Sequence, residues 1–215
     1  MAIAFITARL GSKRLKKKNI KFFFGKPVIS YPVKACIKSK IFKRIIVSTE
    51  SRLISSVAKK YKAEVPFLRP KKLATDRTTT LKLMKFLIKK MNFKSSEIIF
   101  CIYPVTPLLK PNFLKKAFNQ FKKEKCDFLF PVLKTNKMNK NNFSLDKNKN
   151  IIKRKNKKNY FMDSGQFYIG YAKSYLKKKS IIFSGSSKGI LISRNKGIDV
   201  NTLEDWIKLK KIFVN

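Results

Sequence analysis

The 215 residues include no histidine, and only 11 acidic residues, 7 glycines, 3 cysteines and 1 tryptophan. Without histidine, imidazole acid/base catalysis and every His-containing triad are excluded. Cys36, Cys101 and Cys126 are odd in number, lack metal-like spacing and have no His to complete a zinc site, so the expected compartment is the reducing cytoplasm. The few glycines form neither G-x-x-x-x-G-K-S/T nor G-x-G-x-x-G, which removes the generic P-loop and dinucleotide signatures. Long apolar runs are missing too. The N-terminal one stops after about seven residues at Arg9, too short for a signal-peptide core or a membrane span.

What the chain has in excess is positive charge: 52 Lys and Arg give a formal net charge of +41. Such a charge ordinarily points to nucleic acid, because cations that neutralise phosphates release counterions. Here Lys outnumbers Arg by 44 to 8, whereas phosphate and base recognition favours the planar guanidinium. Lys, Asn, Ile and Phe are over-used together, all residues with A- and U-rich codons, so base composition is the common cause. The charges are spread from Lys13 to Lys211 rather than gathered in a tail. No nucleic-acid partner is expected.

With 44% hydrophobic residues the chain supports a packed core, and its length fits one domain, residues 1–215. Apolar runs rich in β-branched and aromatic residues at Ala2–Ile6, Arg44–Thr49, Glu64–Leu68, Glu97–Tyr103, Asp127–Leu133 and Gln166–Gly170 read as strands. Helical spacing appears between them at Leu53, Ile54, Val57, Ala58 and Tyr61, at Met84, Leu87, Ile88 and Met91, and at Phe113, Ala117, Phe118 and Phe121. The alternation predicts an α/β fold with a mostly parallel sheet covered on both faces. Residues 134–159, mostly Lys and Asn, read as a polar-tipped hairpin or a loop, and the end of the chain as a helix opened by Thr202.

Ligands of such sheets bind beyond the carboxyl ends of the strands, which is where ARLGSKRLKKKN, residues 8–19, falls after the first strand. Gly11 next to Ser12 lets backbone N–H groups approach phosphate oxygens, and the six basic residues around them neutralise charge. A basic surface turn has the same local composition.

The run ARLGSKRLKKKNI, followed by GKPVISYPVKACIKSKIFKRIIVSTE, resembles the opening of the CMP-sugar synthetases, or acylneuraminate cytidylyltransferases. AKKYKAEVPFLRPKKLATDRTTT, IYPVTPLL, DSGQFYIG and GIDVNTLEDW follow in that family's order, and together they are most similar to its pseudaminic acid branch. The resemblance covers essentially the whole chain, residues 134–159 least. It implies a three-layer, Rossmann-like nucleotide-diphospho-sugar transferase fold, a homodimer, and transfer of CMP from CTP to an acidic nine-carbon sugar with Mg²⁺; from the missing apolar runs, no membrane partner is expected. Cytidylyltransferases for sialic, legionaminic or 3-deoxy-octulosonic acid are the neighbouring readings, and a basic nucleic-acid-binding protein the more distant one.

Carried onto matching positions, the resemblance implies that Arg9, Gly11, Ser12, Lys13 and Lys18 hold the phosphates and Asn19 the ribose or base. Arg69, Thr78 and Thr80 fall where the family reads cytosine, and Tyr103, Gln166 and Tyr168 where it meets the sugar. Arg9, Lys13, Lys18 and Asp199 are the expected catalytic set. Asp199 and Asn201, two residues apart on a strand-like segment, point to one side and are the expected metal residues. The family usually has Asp at both. Other departures are Thr7 in place of Pro, Leu10 in place of the first Gly of a pair, where its side chain is expected to crowd the phosphates, and Met162 in place of a polar residue. No general base is identified.

Overall fold

The computed structural model describes residues 1–12, 14–136, 139, 142–153 and 160–214. The chain opens with β1 (Ala2–Thr7), the short hairpin β2 (Phe22–Phe23) and β3 (Lys26–Pro27), then α1 (Ser30–Ser39), β4 (Phe42–Ser48) and α2 (Arg52–Lys60). It continues through α3 (Thr80–Lys90), β5 (Ile98–Ile102), α4 (Pro111–Lys123) and β6 (Phe128–Thr135). A hairpin of β7 (Ser144–Leu145) and β8 (Ile151–Ile152) leads to β9 (Tyr160–Asp163), β10 (Phe167–Tyr171), α5 (Ala172–Lys177), β11 (Ser187–Ile192) and α6 (Leu203–Val214).

The main sheet has the order β11-β6-β10-β5-β1-β4, with β9 also on β6. β1 runs parallel to β4 and β5, and β11 parallel to β6, while β10 enters in reverse between β5 and β6. The sheet is therefore mostly parallel, as the alternation predicts. The reversed strand matters for function. Because Phe167 opposes Ile102, the residues just before β10 arrive at the edge where β1 and β5 end.

Period-two alternation sorts the side chains into two cores. Ala2, Ala4 and Ile6 of β1, with Phe100 and Ile102 of β5, pack with Val33 of α1, Ile54 of α2 and Leu114 and Phe121 of α4. Ile3, Phe5, Ile99 and Cys101 face the other way, onto Met84 and Leu87 of α3 and Tyr175 of α5. This is the near-continuous apolar strand that a sheet covered on both faces requires. A third cluster joins Phe23 of the first hairpin to Trp206 and Leu209 of α6, with Leu15, Val105 and Val200.

Caps set where the helices start. Ser51 Oγ accepts from Ile54 N–H at the head of α2, and Thr79 Oγ1 from Lys82 N–H at the head of α3. At α6, Thr202 Oγ1 accepts from Asp205 N–H while the Asp205 carboxylate accepts from the N–H groups of Thr202 and Asn201, each at 2.8 Å. The strand expected at Glu64–Leu68 reduces to one bridge between Glu64 and Ile46. Pro66 has no N–H to extend a ladder there. α1 and β11 lie outside the segments that periodicity picks out. Among the described residues no helix is long and apolar enough to cross a membrane.

Candidate active site

A cleft of about 1140 Å³ opens at the ends of β1 and β5 and at the entry to β10. Its size lies a little above that of ordinary ligand sites, which run to roughly 1,000 Å³. The segment after β1 forms one side and closes on itself, because Asn19 Nδ2 donates to the carbonyl of Arg9 at 2.7 Å. Leu10 N–H donates to Glu50 Oε1 at 2.7 Å, and the Leu10 side chain packs against the apolar core. The expected crowding at Leu10 is thus absent, since that residue does not line the cleft. Arg9, Ser12, Arg14, Lys18 and Asn19 do.

Arg69 is anchored from behind. Its Nη2 donates to Glu50 Oε2 at 2.9 Å and to the Ala8 carbonyl at 3.3 Å, and it is 4% exposed. Its Nε has no partner among the described residues, so one buried donor of a cleft-lining cation is left over. One acid, Glu50, therefore fixes both the turn after β1 and Arg69. Across the opening, Arg9 forms an ion pair with Asp76. Thr78 and Thr80 line the same cleft, and Thr80 Oγ1 lies 2.8 Å from the Tyr103 hydroxyl.

Lys18 Nζ donates to the carbonyl of Val200, next to Asp199. Burial pulls its pKa below the ordinary lysine value, with the Asp199 carboxylate opposing the shift. The turn after β1 and the GIDVNT segment, 181 residues of sequence apart at Lys18 and Asp199, thereby meet in one place. Asn201 lies beside Asp199, but its amide is fixed between a pure donor and a pure acceptor. Arg14 Nη2 donates to Asn201 Oδ1 at 3.1 Å, and Asn201 Nδ2 donates to Asp199 Oδ2 at 2.7 Å. The Asn201 carbonyl accepts from Arg14 and keeps a second lone pair. Asp199 keeps an oxygen outside this bond, which fits a Mg²⁺ held by one carboxylate together with substrate phosphates. Among the described residues no group of three or more acids, Cys or His assembles.

Asp163, another neighbour of Asp199, ends β9 and lines the cleft. Its Oδ1 accepts from Gly165 N–H at 2.9 Å and its Oδ2 from the Tyr168 hydroxyl. Burial lifts its carboxyl to about 6; the two hydrogen bonds pull the other way, and the charge of Asp199 adds to the rise. Gly165 has φ +66, and a Cβ there would lie 3.2 Å from Asp199, so a glycine at this turn lets the two acidic segments approach.

Of the residues expected from sequence, Arg9, Ser12, Lys18, Asn19, Arg69, Thr78, Thr80, Tyr103, Asp199 and Asn201 meet in this cleft. Lys13 lies outside the described residues. Gly11 is exposed and does not line the cleft. Gln166 and Tyr168, expected at the sugar, stand behind the wall, 2% and 6% exposed. Gln166 Nε2 donates to the Lys196 carbonyl, and the Tyr168 hydroxyl is spent on Asp163. Sequence reading passed over Arg14, Glu50, Asp76 and Asp163. Each stands in or beside a quoted motif, but which acids and bases pair across the cleft is decided by tertiary contacts that no spacing encodes.

A protein-family model described as Cytidylyltransferase matches residues 3–211. A pseudaminic acid cytidylyltransferase of Campylobacter jejuni is 31% identical over 214 residues, covering 94% of this chain and 92% of that protein. A Helicobacter pylori protein, named pseudaminic acid cytidylyltransferase and UDP-2,4-diacetamido-2,4,6-trideoxy-beta-L-altropyranose hydrolase, is 34% identical over 200 residues, 89% of this chain. The chain spans 38% of that relative's length. A CMP-N,N'-diacetyllegionaminic acid synthase of Legionella pneumophila is 30% identical over 226 residues, 98% of this chain and 95% of the relative. Among solved structures, CMP:2-keto-3-deoxy-manno-octonic acid synthetase complexed with CTP superposes with a TM-score of 0.79 at 12% identity, over 99% of this chain and 98% of that one. At that identity the likeness speaks for the fold alone.

Proposed function

The chain belongs to the cytidylyltransferase family, and from that premise we propose that it transfers CMP from CTP to pseudaminic acid, a nine-carbon acidic sugar, releasing pyrophosphate. The anomeric hydroxyl oxygen attacks the α-phosphorus, a new P–O bond forms, and the bond from that phosphorus to the β-phosphate oxygen breaks. The hydroxyl proton passes to solvent or a nearby acceptor. Reactions of this kind depend on positioning and charge stabilisation more than on a strong base, which suits a chain without histidine.

The observation that carries the reading is the meeting of Arg9, Ser12 and Lys18 with Asp199 in one cleft. In this role Arg9 exchanges Asp76 for phosphate oxygens. Lys18, held beside Asp199, faces the charge that develops on the leaving pyrophosphate. Arg69 and the Thr78–Thr80 segment receive the base, and Tyr103 faces the sugar. Mg²⁺, when bound, supplies further neutralisation of the phosphates, and Asp199 is the residue that would hold it. Asn201 orients Asp199 through its amide N–H and offers its carbonyl oxygen to the same ion. A homodimer and a cytoplasmic setting belong to the same proposal.

The Legionella relative is named for a legionaminic acid, so that sugar is the second candidate acceptor. Pyrophosphate release tests both, with CTP, ATP, GTP and UTP set against pseudaminic, legionaminic, sialic and 3-deoxy-octulosonic acids. Release is expected with CTP and pseudaminic acid above all other pairs. Folded protein that releases pyrophosphate with no pair would refute the proposal.

A further inference from the structure

Acids are scarce in this chain, 11 against 52 bases, yet one of them stands behind the cleft instead of in it. Glu50 does not line the cavity, but its two carboxylate oxygens reach two segments that do. Oε1 accepts from Leu10 N–H at 2.7 Å, between the cleft residues Arg9 and Ser12, and Oε2 accepts from Arg69 Nη2 at 2.9 Å. Backbone bonds join the same places. Arg69 N–H donates to the Thr49 carbonyl at 2.7 Å and Ala8 N–H to the Ser48 carbonyl at 3.0 Å, while Arg69 Nη2 also reaches the Ala8 carbonyl at 3.3 Å.

Among the ion pairs of the described residues, Glu50 with Arg69 is the most buried, the side chains being 14% and 3% exposed. Burial gives the pair its weight, because exposed pairs are screened and lose their geometry readily. Two donors on one acid also set a chemical requirement. A carboxylate has an acceptor on each side, whereas the isosteric amide of Gln has one acceptor and one donor group. Glu50→Gln therefore turns an N–H group onto either the Leu10 N–H or the Arg69 guanidinium, and one of the two segments must move.

Resting on the proposed CMP transfer, with phosphates at the turn after β1 and the base at Arg69, we propose that Glu50 is a positioning residue that couples the two halves of the nucleotide site. It holds the phosphate turn and the Arg69 guanidinium in one geometry without touching the nucleotide. A guanidinium fixed in this way favours cytosine, whose N3 accepts a hydrogen bond, over uracil, whose N3 carries a proton. Misplacement by about 1 Å is enough to cost large factors, even when the altered residue is remote from the chemistry.

The test is titration calorimetry of CTP, UTP and pyrophosphate with wild type and Glu50→Gln in one Mg²⁺ buffer, with thermal melts to show that each protein is folded. Pyrophosphate has no base, and CTP and UTP share their phosphates, so pyrophosphate affinity and CTP-over-UTP preference read the two halves separately. In Glu50→Gln the Kd for CTP and for pyrophosphate is each expected to rise about tenfold or more, with a reduced preference for CTP over UTP. Folded Glu50→Gln in which only one half is altered overturns the coupling. One in which neither is altered reduces Glu50 to a structural brace, whatever its melting temperature. If Glu50→Gln does not fold, Glu50→Asp keeps the charge, draws the carboxylate back by one methylene and is expected to move both readouts in the same directions; either readout unchanged in that folded variant is equally fatal. Wild-type protein that transfers CMP to no acidic sugar would instead refute the parent reading, and the binding data, which need no turnover, would still decide the role of Glu50.

Discussion

Glu50 ties the turn after β1 to Arg69, accepting from Leu10 N–H with one oxygen and from buried Arg69 with the other. Removing one partner of a buried ion pair typically costs about 3–5 kcal/mol, because the remaining charge is left without compensation. Glu50 is slightly exposed at 14%, so Glu50→Ala is expected at the lower end, about 3 kcal/mol by denaturant unfolding, together with a raised KM for CTP. Asp163 gives a second handle at this scale. Its carboxyl lies near 6 in the folded chain, above the value of about 3.9 in an unfolded one. The native state then binds the proton more tightly, so the stability from this group is complete below about pH 4 and lost as pH rises through about 6. Measured without divalent cations, wild type should lose up to about 3 kcal/mol relative to Asp163→Asn between those limits. A constant difference across that range would contradict the burial of this carboxyl.

Among the elements, α6 is the one whose start shapes the site. The Asp205 carboxylate accepts from the backbone of Asn201 and Thr202, so the helix cap also orders the chain next to Asp199. Asp205→Ala should cost about 1–2 kcal/mol and raise KM for CTP, whereas Thr202→Ala should cost about 1 kcal/mol in thermal melts with CTP KM nearly unchanged. Equal KM effects from both would contradict a role for Asp205 in the site beyond the helix cap. The Thr202 start of this helix was legible in sequence because cap chemistry is local. The helices α2, α3 and α4 were legible from their periodicity, and the strands β1, β4, β5, β6 and β10 from their apolar runs. Gln166 and Tyr168 were not. Tyr168 lies on β10 and Gln166 just before it, and their side chains are held by Asp163 and by the Lys196 carbonyl, contacts that no local pattern encodes. Leu10 was misjudged for a related reason: only the fold reveals that Glu50 draws its backbone N–H away and turns its side chain inward.

At the scale of the whole molecule, a net charge of +41 competes with the cleft as an explanation of what the protein binds. The two differ in how they respond to salt. Surface lysines are screened within about 8 Å at physiological ionic strength, while cations inside a cleft opposite fixed phosphates are screened less. The cations that matter here, Lys18 and Arg69, are partly or fully buried and tied to other cleft segments, unlike most of the 44 lysines. The motif order along the sequence made this cleft legible as a set of candidates, and tertiary contacts decided its membership. The most direct measurement is a ³¹P NMR time course of the protein with CTP, Mg²⁺ and pseudaminic acid at physiological salt. Growth of a CMP-sugar phosphodiester resonance in step with pyrophosphate is the expected result; CTP left intact by folded protein, or converted to free CMP alone, would contradict it.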